Sequence, residues 1–351
     1  MVEDCPECQM WRESGANFCR NCGRQLNVPA PPMKEKSLFA QVIAKPLVAL
    51  CVLVIVFDLV YCLANFGSIS DELRIRKVSV SVSYFLDEVT LFHIGGEALV
   101  VYFILILSVI IICLGLMIYG LVPRAKEEHG TGDSEPVLKS CMVGCTTIMA
   151  ACMFLSVVYL MFVTASGNPP DSSWTDAYSE QLMAFLLNRA GVREELMFRM
   201  FWIGIPMAVL VLTVRRDRRC WQYLFGGFGM SRATLILILL SSIAFGMAHL
   251  EGWGWSKVPD AVLGGLFFGY IYVQYGLHAA IIAHALNDVI LVAGYVFPFL
   301  SGLGFLLILG AGLIVIVYWI MYPNRGLFDL KNMQDYPDEM DCGLLEQLTR
   351  H

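Results

Sequence analysis

Three short groups of polar residues interrupt apolar sequence in the C-terminal half of the chain. They read Glu194-Glu195-Leu-Met-Phe-Arg199, Phe245-Gly-Met-Ala-His249 and His284-Ala-Leu-Asn287-Asp288. Residues four apart share a helix face, so Glu195 can pair with Arg199, whereas Glu194 is rotated by about 100° and lacks that partner. His284 and Asp288 share a face in the same way. A charge inside a membrane costs several kcal/mol, so each group requires a reason for its presence.

These residue types can together hydrolyse a bond. A carboxylate and an imidazole activate a water molecule, and a second histidine or an asparagine can donate to a developing oxyanion. None of the histidines stands beside a serine or cysteine in a nucleophile-like motif, and no His-Glu-x-x-His occurs, so water itself would attack. Two plainer interpretations stay open. Both glutamates could occupy the interface at a helix N-terminus, and His249 could be a hydrogen-bonded core residue.

The elements that must position these residues are membrane helices. Of the 351 residues, 57% are hydrophobic and only 15% are charged. Soluble domains carry about 25% charged residues, so an ordinary cytosolic enzyme is excluded. We expect an all-α polytopic membrane protein with about eight transmembrane helices, preceded by a small zinc-ribbon module. The apolar runs cover residues 47–65, 98–122, 141–163, 195–214, 233–250, 261–277, 279–298 and 302–321.

Four cysteines near the N-terminus form this separate module. Cys5, Cys8, Cys19 and Cys22 have the spacing Cys-x2-Cys-x10-Cys-x2-Cys, which suits tetrahedral Zn²⁺. A segment this short requires such a staple, although two disulfides are the alternative. Because four thiolates leave no position for a substrate water, we expect a structural zinc ion. The eight other cysteines are scattered and indicate no disulfide framework.

Composition divides the chain into four parts. Residues 1–26 form the zinc ribbon, residues 27–45 a Pro-rich linker and pre-membrane segment, residues 46–322 the transmembrane helical domain, and residues 323–351 an acidic cytoplasmic tail. We expect both termini of this integral, multi-pass protein in the cytoplasm, because the basic residues of the short loops then share that side. Those residues are Lys34, Lys36, Lys45, Arg124, Lys126, Lys139, Arg215, Arg216, Arg218 and Arg219.

In order and spacing, the three polar groups resemble the motifs of the CAAX-protease and bacteriocin-processing family of intramembrane proteases. That family includes the type II CAAX prenyl endopeptidases. The resemblance covers about residues 140–322, including the glycine-bearing segment from Gly264 to Gly269, and does not extend to the cysteine module. It implies an endopeptidase that hydrolyses a peptide bond of a membrane-associated or lipidated substrate.

Carried over to this chain, the resemblance makes Glu194 the carboxylate that activates water and His249 the residue that binds or assists that water. His284 would help to form the oxyanion site. The supporting positions would be Glu195, Arg199 and Phe245. The motif of the family ends in Asn or Asp, and Asn there is the usual oxyanion donor, whereas this chain has Asp288.

An ionised Asp288 cannot stabilise an oxyanion. Asp288 could be protonated, Asn287 could donate in its place, or Asp288 could orient His284. In a fourth interpretation these residues bind catalytic zinc, since Glu194, His249, His284 and Asp288 make a plausible set of nitrogen and oxygen ligands. We expect the metal-free glutamate mechanism, so that the only cofactor is the zinc ion of the ribbon, with zinc at the catalytic site as the variant.

The apolar runs leave the depth of the site unexplained. Glu194 and His249 fall toward the outer ends of their spans, whereas His284 lies roughly 10 Å from the cytoplasmic end of its span. Either the segment from His249 to Asp260 is a re-entrant turn, or one span assignment is wrong.

Two functions from different classes follow. The first is an intramembrane endopeptidase, and the alternative is a catalytically inactive membrane scaffold that recruits partners through the ribbon. A small-solute transporter is a weaker third option, because the two halves show no inverted repeat. Expected partners are the membrane, a membrane-associated or prenylated protein or peptide substrate, and a cytoplasmic protein bound by the ribbon. A net charge of −6 gives no reason to expect nucleic acid.

Overall fold

The computed structural model describes residues 5–14, 18–23, 37–84, 87–214, 216, 218–296 and 298–322. Most of the predicted linker and the whole predicted acidic tail therefore lie outside the described residues. The N-terminal module contains one short helix, Cys8–Glu13, and a small buried centre made by Cys8 and Cys19. Cys5 and Trp11 pack against that centre. The four cysteines come together as a zinc ribbon requires.

Eight long helices dominate the described residues, one for each predicted apolar run. They are α1 (Ala40–Ala64), α2 (Glu97–Thr131), α3 (Cys141–Ala165), α4 (Glu180–Val214), α5 (Arg232–Ala248), α6 (Val258–Tyr275), α7 (Leu277–Val296) and α8 (Pro298–Met321). By length and composition, α1, α2, α3, α4 and α8 can cross a membrane, and α5 and α7 provide shorter apolar helices. The predicted class, a helical polytopic membrane protein, is confirmed.

Helix α4 begins well before the predicted span at 195–214. Its segments are an α-helix at Glu180–Glu195, a π-helix at Leu196–Gly204 and an α-helix at Ile205–Val214. The hydroxyl of Ser179 caps the start by accepting from the amide of Leu182 at 3.1 Å. Glu194 therefore lies about 21 Å along the helix from Glu180, rather than at its outer end. The start predicted from hydropathy alone was wrong, because polar residues before 195 continue the helix.

Two glycines allow the helices around the polar groups to approach closely. A Cβ atom at Gly191 of α4 would lie 3.0 Å from the backbone nitrogen of Ala285 in α7. A Cβ atom at Gly265 of α6 would lie 2.9 Å from the Cα of Ser242 in α5. The backbones of α4 and α7, and of α5 and α6, therefore touch at these two points.

The segment between α5 and α6, predicted as a possible re-entrant turn, is held by contacts with its neighbours. It contains the short helix Leu250–Trp253 and the 3-10 turn Trp255–Lys257. The carbonyl of Trp253 accepts from the amide of Asp171 at 3.0 Å, and its ring packs edge-on against Trp174. Lys257 pairs with the buried Asp260 at 2.6 Å. These contacts hold the end of α5 in place.

A β-hairpin between α1 and α2 was not anticipated from the sequence. After a short helix, Phe66–Arg74, strand β1 (Lys77–Tyr84) pairs antiparallel with strand β2 (Asp87–Gly95). Residues Lys77–Tyr84 read Lys-Val-Ser-Val-Ser-Val-Ser-Tyr, an alternation with the period of a half-buried strand. The hairpin leads directly into α2, whose first residue, Glu97, pairs with Arg74 at 2.7 Å.

Candidate functional site

The three polar groups converge on one site formed by α4, α7 and the residue that follows α5. Glu194 Oε2 lies 3.7 Å from Nε2 of His284 and 4.0 Å from Nε2 of His249. The side chains of Glu194 and His249 are each 19% exposed, whereas His284 is buried. A partly exposed carboxylate thus faces two imidazole nitrogens at distances just beyond direct hydrogen bonding.

His284 is fixed through its other ring nitrogen. Its Nδ1–H donates to Oε1 of Glu195 at 2.7 Å, and Oε2 of the same carboxylate lies 3.2 Å from Nε of Arg199. Glu195 and Arg199 are both fully buried. Arg199 also donates to the hydroxyl of Ser241 in α5 at 3.0 Å. The expected ion pair between Glu195 and Arg199 is present, and it orients an imidazole as well as neutralising two charges.

His249 is fixed in a different way. Its Nδ1–H donates to the backbone carbonyl of Phe245, one turn earlier, at 2.8 Å. A carbonyl oxygen can only accept, so this bond defines the tautomer and leaves Nε2 as an acceptor in the neutral ring. The spacing Phe245-x-x-x-His249 thus has a physical reason: the turn supplies the carbonyl, and the Phe245 ring packs 4.7 Å from the imidazole.

An aromatic pair encloses His284. The ring of Phe268 in α6 stacks on the imidazole with centroids 4.6 Å apart and planes 6° apart, and the Phe245 ring meets it edge-on at 5.8 Å. The guanidinium of Arg199 lies over both phenyl rings, 5.0 Å from Phe245 and 5.7 Å from Phe268. Sequence reasoning missed Phe268 as a site residue, because an aromatic residue in an apolar helix has no distinguishing neighbour. Its position one residue before Gly269, in the glycine-bearing segment, was the available signal.

Asp288 lies beside His284 rather than apart from it. Oδ2 of Asp288 is 3.5 Å from Nε2 of His284, and Oδ1 accepts from the side-chain amide of Asn287 at 3.1 Å. The amide of Asn287 is therefore engaged with Asp288. The eight residues predicted for the catalytic site therefore lie in one cluster. The four cysteines predicted to bind metal lie in a second cluster, described below.

A buried hydrogen bond joins α4 to α1. Asn188, six residues before Glu194, donates to Oδ2 of Asp58 at 2.9 Å and to the carbonyl of Ala184 at 2.9 Å. Asp58 is buried in α1, so this contact joins two helices of the bundle. Such a bond holds the first half of α4 against the bundle.

The second cluster is the N-terminal cysteine quartet. The Sγ atoms of Cys5 and Cys8 are 3.4 Å apart, those of Cys5 and Cys19 3.6 Å, and those of Cys8 and Cys22 3.5 Å. These distances approach the edge of about 3.8 Å expected for a tetrahedron of thiolates around zinc. Hydrogen bonding from Cys8 lowers the pKa of Cys5 to about 7, whereas burial raises the pKa of Cys8 to about 12.

Among the described residues, this quartet is the group of possible ligands whose donor atoms all lie within 4.8 Å of one another. It could bind a metal ion. Glu194, His249, His284 and Asp288 do not form such a group in the described chain.

The part of the chain that forms this site matches a protein-family model. Residues 180–290 match the family model described as type II CAAX prenyl endopeptidase Rce1-like. The match covers about a third of the chain, from the start of α4 into α7, and includes all three polar groups. No curated protein and no solved structure matches the chain significantly. Residues 180–290 of the chain therefore match the domain of the type II CAAX prenyl endopeptidase Rce1-like family.

Proposed function

We propose that the protein is an intramembrane endopeptidase in which Glu194, His249 and His284 hydrolyse a peptide bond with water. One observation carries the proposal. The Glu194 carboxylate faces two imidazoles at 3.7 and 4.0 Å, and each imidazole is held through its other nitrogen by a group outside the reaction. Two fixed rings beside one loosely held acid form a preorganised acid–base site.

The attacking water binds between Glu194 and His249. A separation of 4.0 Å is too long for a direct hydrogen bond but accommodates a bridging water. Because Nδ1 of His249 donates to the Phe245 carbonyl, its Nε2 accepts one hydrogen of that water while Glu194 accepts the other. An oxygen lone pair is then directed at the substrate.

Glu194 carries the proton through the reaction. The water oxygen bonds to the carbonyl carbon of the substrate, and the released proton moves to the Glu194 carboxylate. Collapse of the tetrahedral intermediate breaks the carbon–nitrogen bond, and Glu194 returns the proton to the leaving nitrogen. One water molecule is consumed, and a carboxylic acid and an amine leave.

His284 is the oxyanion donor in this proposal. Its Nδ1–H is held by Glu195, so its Nε2 faces the reaction space near Glu194. With hydrogen on both ring nitrogens, Nε2–H can donate to the developing oxyanion. A single donor of this kind is worth about 10²–10³ in rate.

Asp288 orients His284 in our proposal. Its Oδ2 lies 3.5 Å from Nε2 of His284, and the Asn287 amide donates to its other oxygen. Of the three alternatives, orientation of the imidazole fits these contacts best. Donation by Asn287 would have to use the second N–H of its amide, because the first is donated to Asp288.

The mechanism requires no metal at the catalytic site, whereas the cysteine quartet would hold structural Zn²⁺. Zinc would cross-link the two cysteine pairs of the ribbon and stabilise its fold. The substrate class is a membrane-associated protein or peptide, with a prenylated chain as one option. Both termini are assigned to the cytoplasm, where the ribbon would bind a substrate or partner protein.

The test is a quantitative comparison of N-terminal peptides from membranes that contain the wild-type protein or Glu194→Gln. Glu251→Gln is the matched control, because Glu251 is an exposed glutamate only two residues after His249. Cleavage products present with the wild type and the control, and absent with Glu194→Gln, support the proposal. Identical products from all three folded proteins would favour the inactive scaffold.

A further inference from the structure

We propose that hairpin β1–β2 is a lipid-binding surface whose apolar face enters the boundary between headgroups and acyl chains of the membrane. Its other face and its edge are turned toward α4, just before the catalytic glutamate. The partner is the bilayer itself, and the inference does not depend on the proposed peptidase activity.

The strand register separates two chemically different faces. Val78 is opposite Ile94, Val80 is opposite Phe92, and Val82 is opposite Val89. Opposite residues of an antiparallel pair, and alternate residues of one strand, share a face, so these six apolar side chains lie together. The other face carries Ser79 with His93 and Ser81 with Thr90.

The apolar face is covered at the base of the hairpin and half-buried at Val80 and Val82 of β1, whereas its β2 side is exposed. Val78 and Ile94, at the base of the hairpin, pack against the main hydrophobic core. Farther along, Phe92 is 54% exposed and Val89 is 57% exposed. Leu91, the extra residue at the bulge in β2, is 60% exposed. A contiguous exposed apolar patch of this kind marks an interaction surface.

The hairpin is fastened along α4 by two arginines. Arg189 donates to the carbonyl of Ser79 at 3.0 Å, and Arg193 donates to the hydroxyl of Ser81 at 2.9 Å. Two strand residues advance about 6.6 Å and four helix residues about 6 Å, so β1 runs alongside α4. Strand carbonyls close to a membrane require partners, and the arginines provide them. The hairpin therefore lies beside the residues that lead into Glu194.

The position of the hairpin in the chain indicates that lipid, rather than another protein, covers its apolar face. Only Gly96 separates β2 from α2, a helix long and apolar enough to cross a membrane. Val101 and Leu105, one turn apart near the start of α2, are 55% and 57% exposed and form an apolar stripe on a helix that can cross a membrane. The patch on the hairpin adjoins this stripe in the chain. An amphipathic element at the end of a membrane span places its apolar side in the interface.

The first experiment measures fluorescence quenching in nanodiscs that contain lipids with brominated acyl chains. Phe92→Trp places a tryptophan on the apolar face, and Thr90→Trp is the matched control on the opposite face. After the wild-type fluorescence is subtracted, we expect the tryptophan introduced at position 92 to be quenched at least twofold more than the tryptophan introduced at position 90. Equal quenching at the two positions would overturn the proposal.

A second experiment uses the unmodified chain, in case a substitution disturbs the hairpin. Hydroxyl-radical labelling in nanodiscs with one protein copy each should modify Phe92 at least fivefold less than it modifies Phe92 of a free soluble peptide that spans residues 77–95. His93, on the opposite face, should be modified readily in the nanodiscs. Modification of Phe92 to the same extent as in free peptide would show that water covers this face. Protection only in nanodiscs with two copies would assign the surface to a second chain and overturn lipid as the occupant.

Discussion

Two carboxylates of the membrane domain, Glu128 in α2 and Glu194 in α4, have opposite surroundings. Glu128 is buried and fully engaged: Oε1 accepts from Ser134 at 2.6 Å and Gln41 at 3.0 Å, and Oε2 lies 2.7 Å from Nζ of Lys45. Glu194 is partly exposed and lies 3.7 and 4.0 Å from its two imidazole neighbours. A carboxylate with short bonds to several elements joins them, whereas one at water-bridging distance from two fixed rings can exchange a proton.

Because of this difference, substitution of Glu128 should mainly lower the stability of the protein, and substitution of Glu194 should mainly lower its catalytic rate. Removing the charge of Glu128 should loosen the contacts among α1, α2 and the turn at Ser134. Removing the charge of Glu194 should leave packing intact and abolish proton transfer. The pair therefore offers a direct test of whether the geometry of each acid reports its role.

The largest expected effect is on catalysis by Glu194→Gln. The amide keeps the size of the side chain but cannot accept the water proton, so we expect kcat to fall by about 10³-fold or more. Thermal unfolding should change little, because the carboxylate makes no short bond to either imidazole. The measurement is turnover of a cleavable peptide in proteoliposomes. A variant with more than a tenth of wild-type kcat would contradict the assignment.

The next largest effect is expected for Glu195→Gln. The amide no longer compensates the buried guanidinium of Arg199 and holds Nδ1–H of His284 less tightly. We expect kcat to fall by about 10²-fold, together with a lower unfolding temperature, since an unpaired buried charge costs about 3 kcal/mol. The dependence of kcat on pH should also move, because His284 loses its carboxylate partner. An unchanged pH profile at reduced stability would leave Glu195 as a structural residue only.

Glu128→Gln tests the other side of the comparison. Loss of hydrogen bonds to a charged group should lower the free energy of unfolding by about 2 kcal/mol, while kcat per folded molecule stays within twofold of wild type. Glu127→Gln, at an exposed neighbouring position, is the control and should change neither quantity. Chemical denaturation in micelles measures the first quantity and peptide turnover the second. A loss of kcat comparable with that of Glu194→Gln would end the distinction between the two acids.

A smaller effect is expected for Phe268→Leu. The stacked ring sets the plane of the His284 imidazole, and an aromatic contact of this kind contributes about 1 kcal/mol, equivalent to roughly a fivefold change in rate. We expect kcat to fall by about that factor with KM unchanged and the pH profile displaced. Phe267→Leu is the neighbouring control, and Phe268→Tyr should restore most of the rate. Equal effects at 267 and 268 would indicate packing alone.

The sequence predicted the helical class and all eight long helices because apolar runs report directly on membrane burial. It misplaced the start of α4, since hydropathy cannot distinguish a polar helical extension from a loop. It also missed the hairpin. The Val/Ser alternation was a strand signal, but it lay between spans, in a segment treated as a loop.

The polar groups of the site were predictable for a related reason. Charged residues in a membrane helix are costly, so Glu194, Glu195 and Arg199 were conspicuous in an apolar context. The sequence could not show which of these residues contact one another and which role each contact supports. The contact of His284 with Glu195 crosses from α7 to α4, and the stacking of Phe268 crosses from α6, so both depend on the packing of helices distant in sequence.

The smallest effect on catalysis is expected from the cysteine module, which shares no described contact with the reacting groups. Cys19→Ser removes one thiolate, so the ribbon should lose the zinc that we propose it binds, about one ion per chain in the wild type. Cys220→Ser, outside the quartet, should retain it. Turnover of a short peptide should stay within twofold in both variants, whereas cleavage of a full-length protein substrate should fall with Cys19→Ser and with deletion of residues 1–26. Equal loss on peptide and protein would show that the ribbon supports the fold of the membrane domain, and unchanged cleavage of both would remove substrate docking as its role.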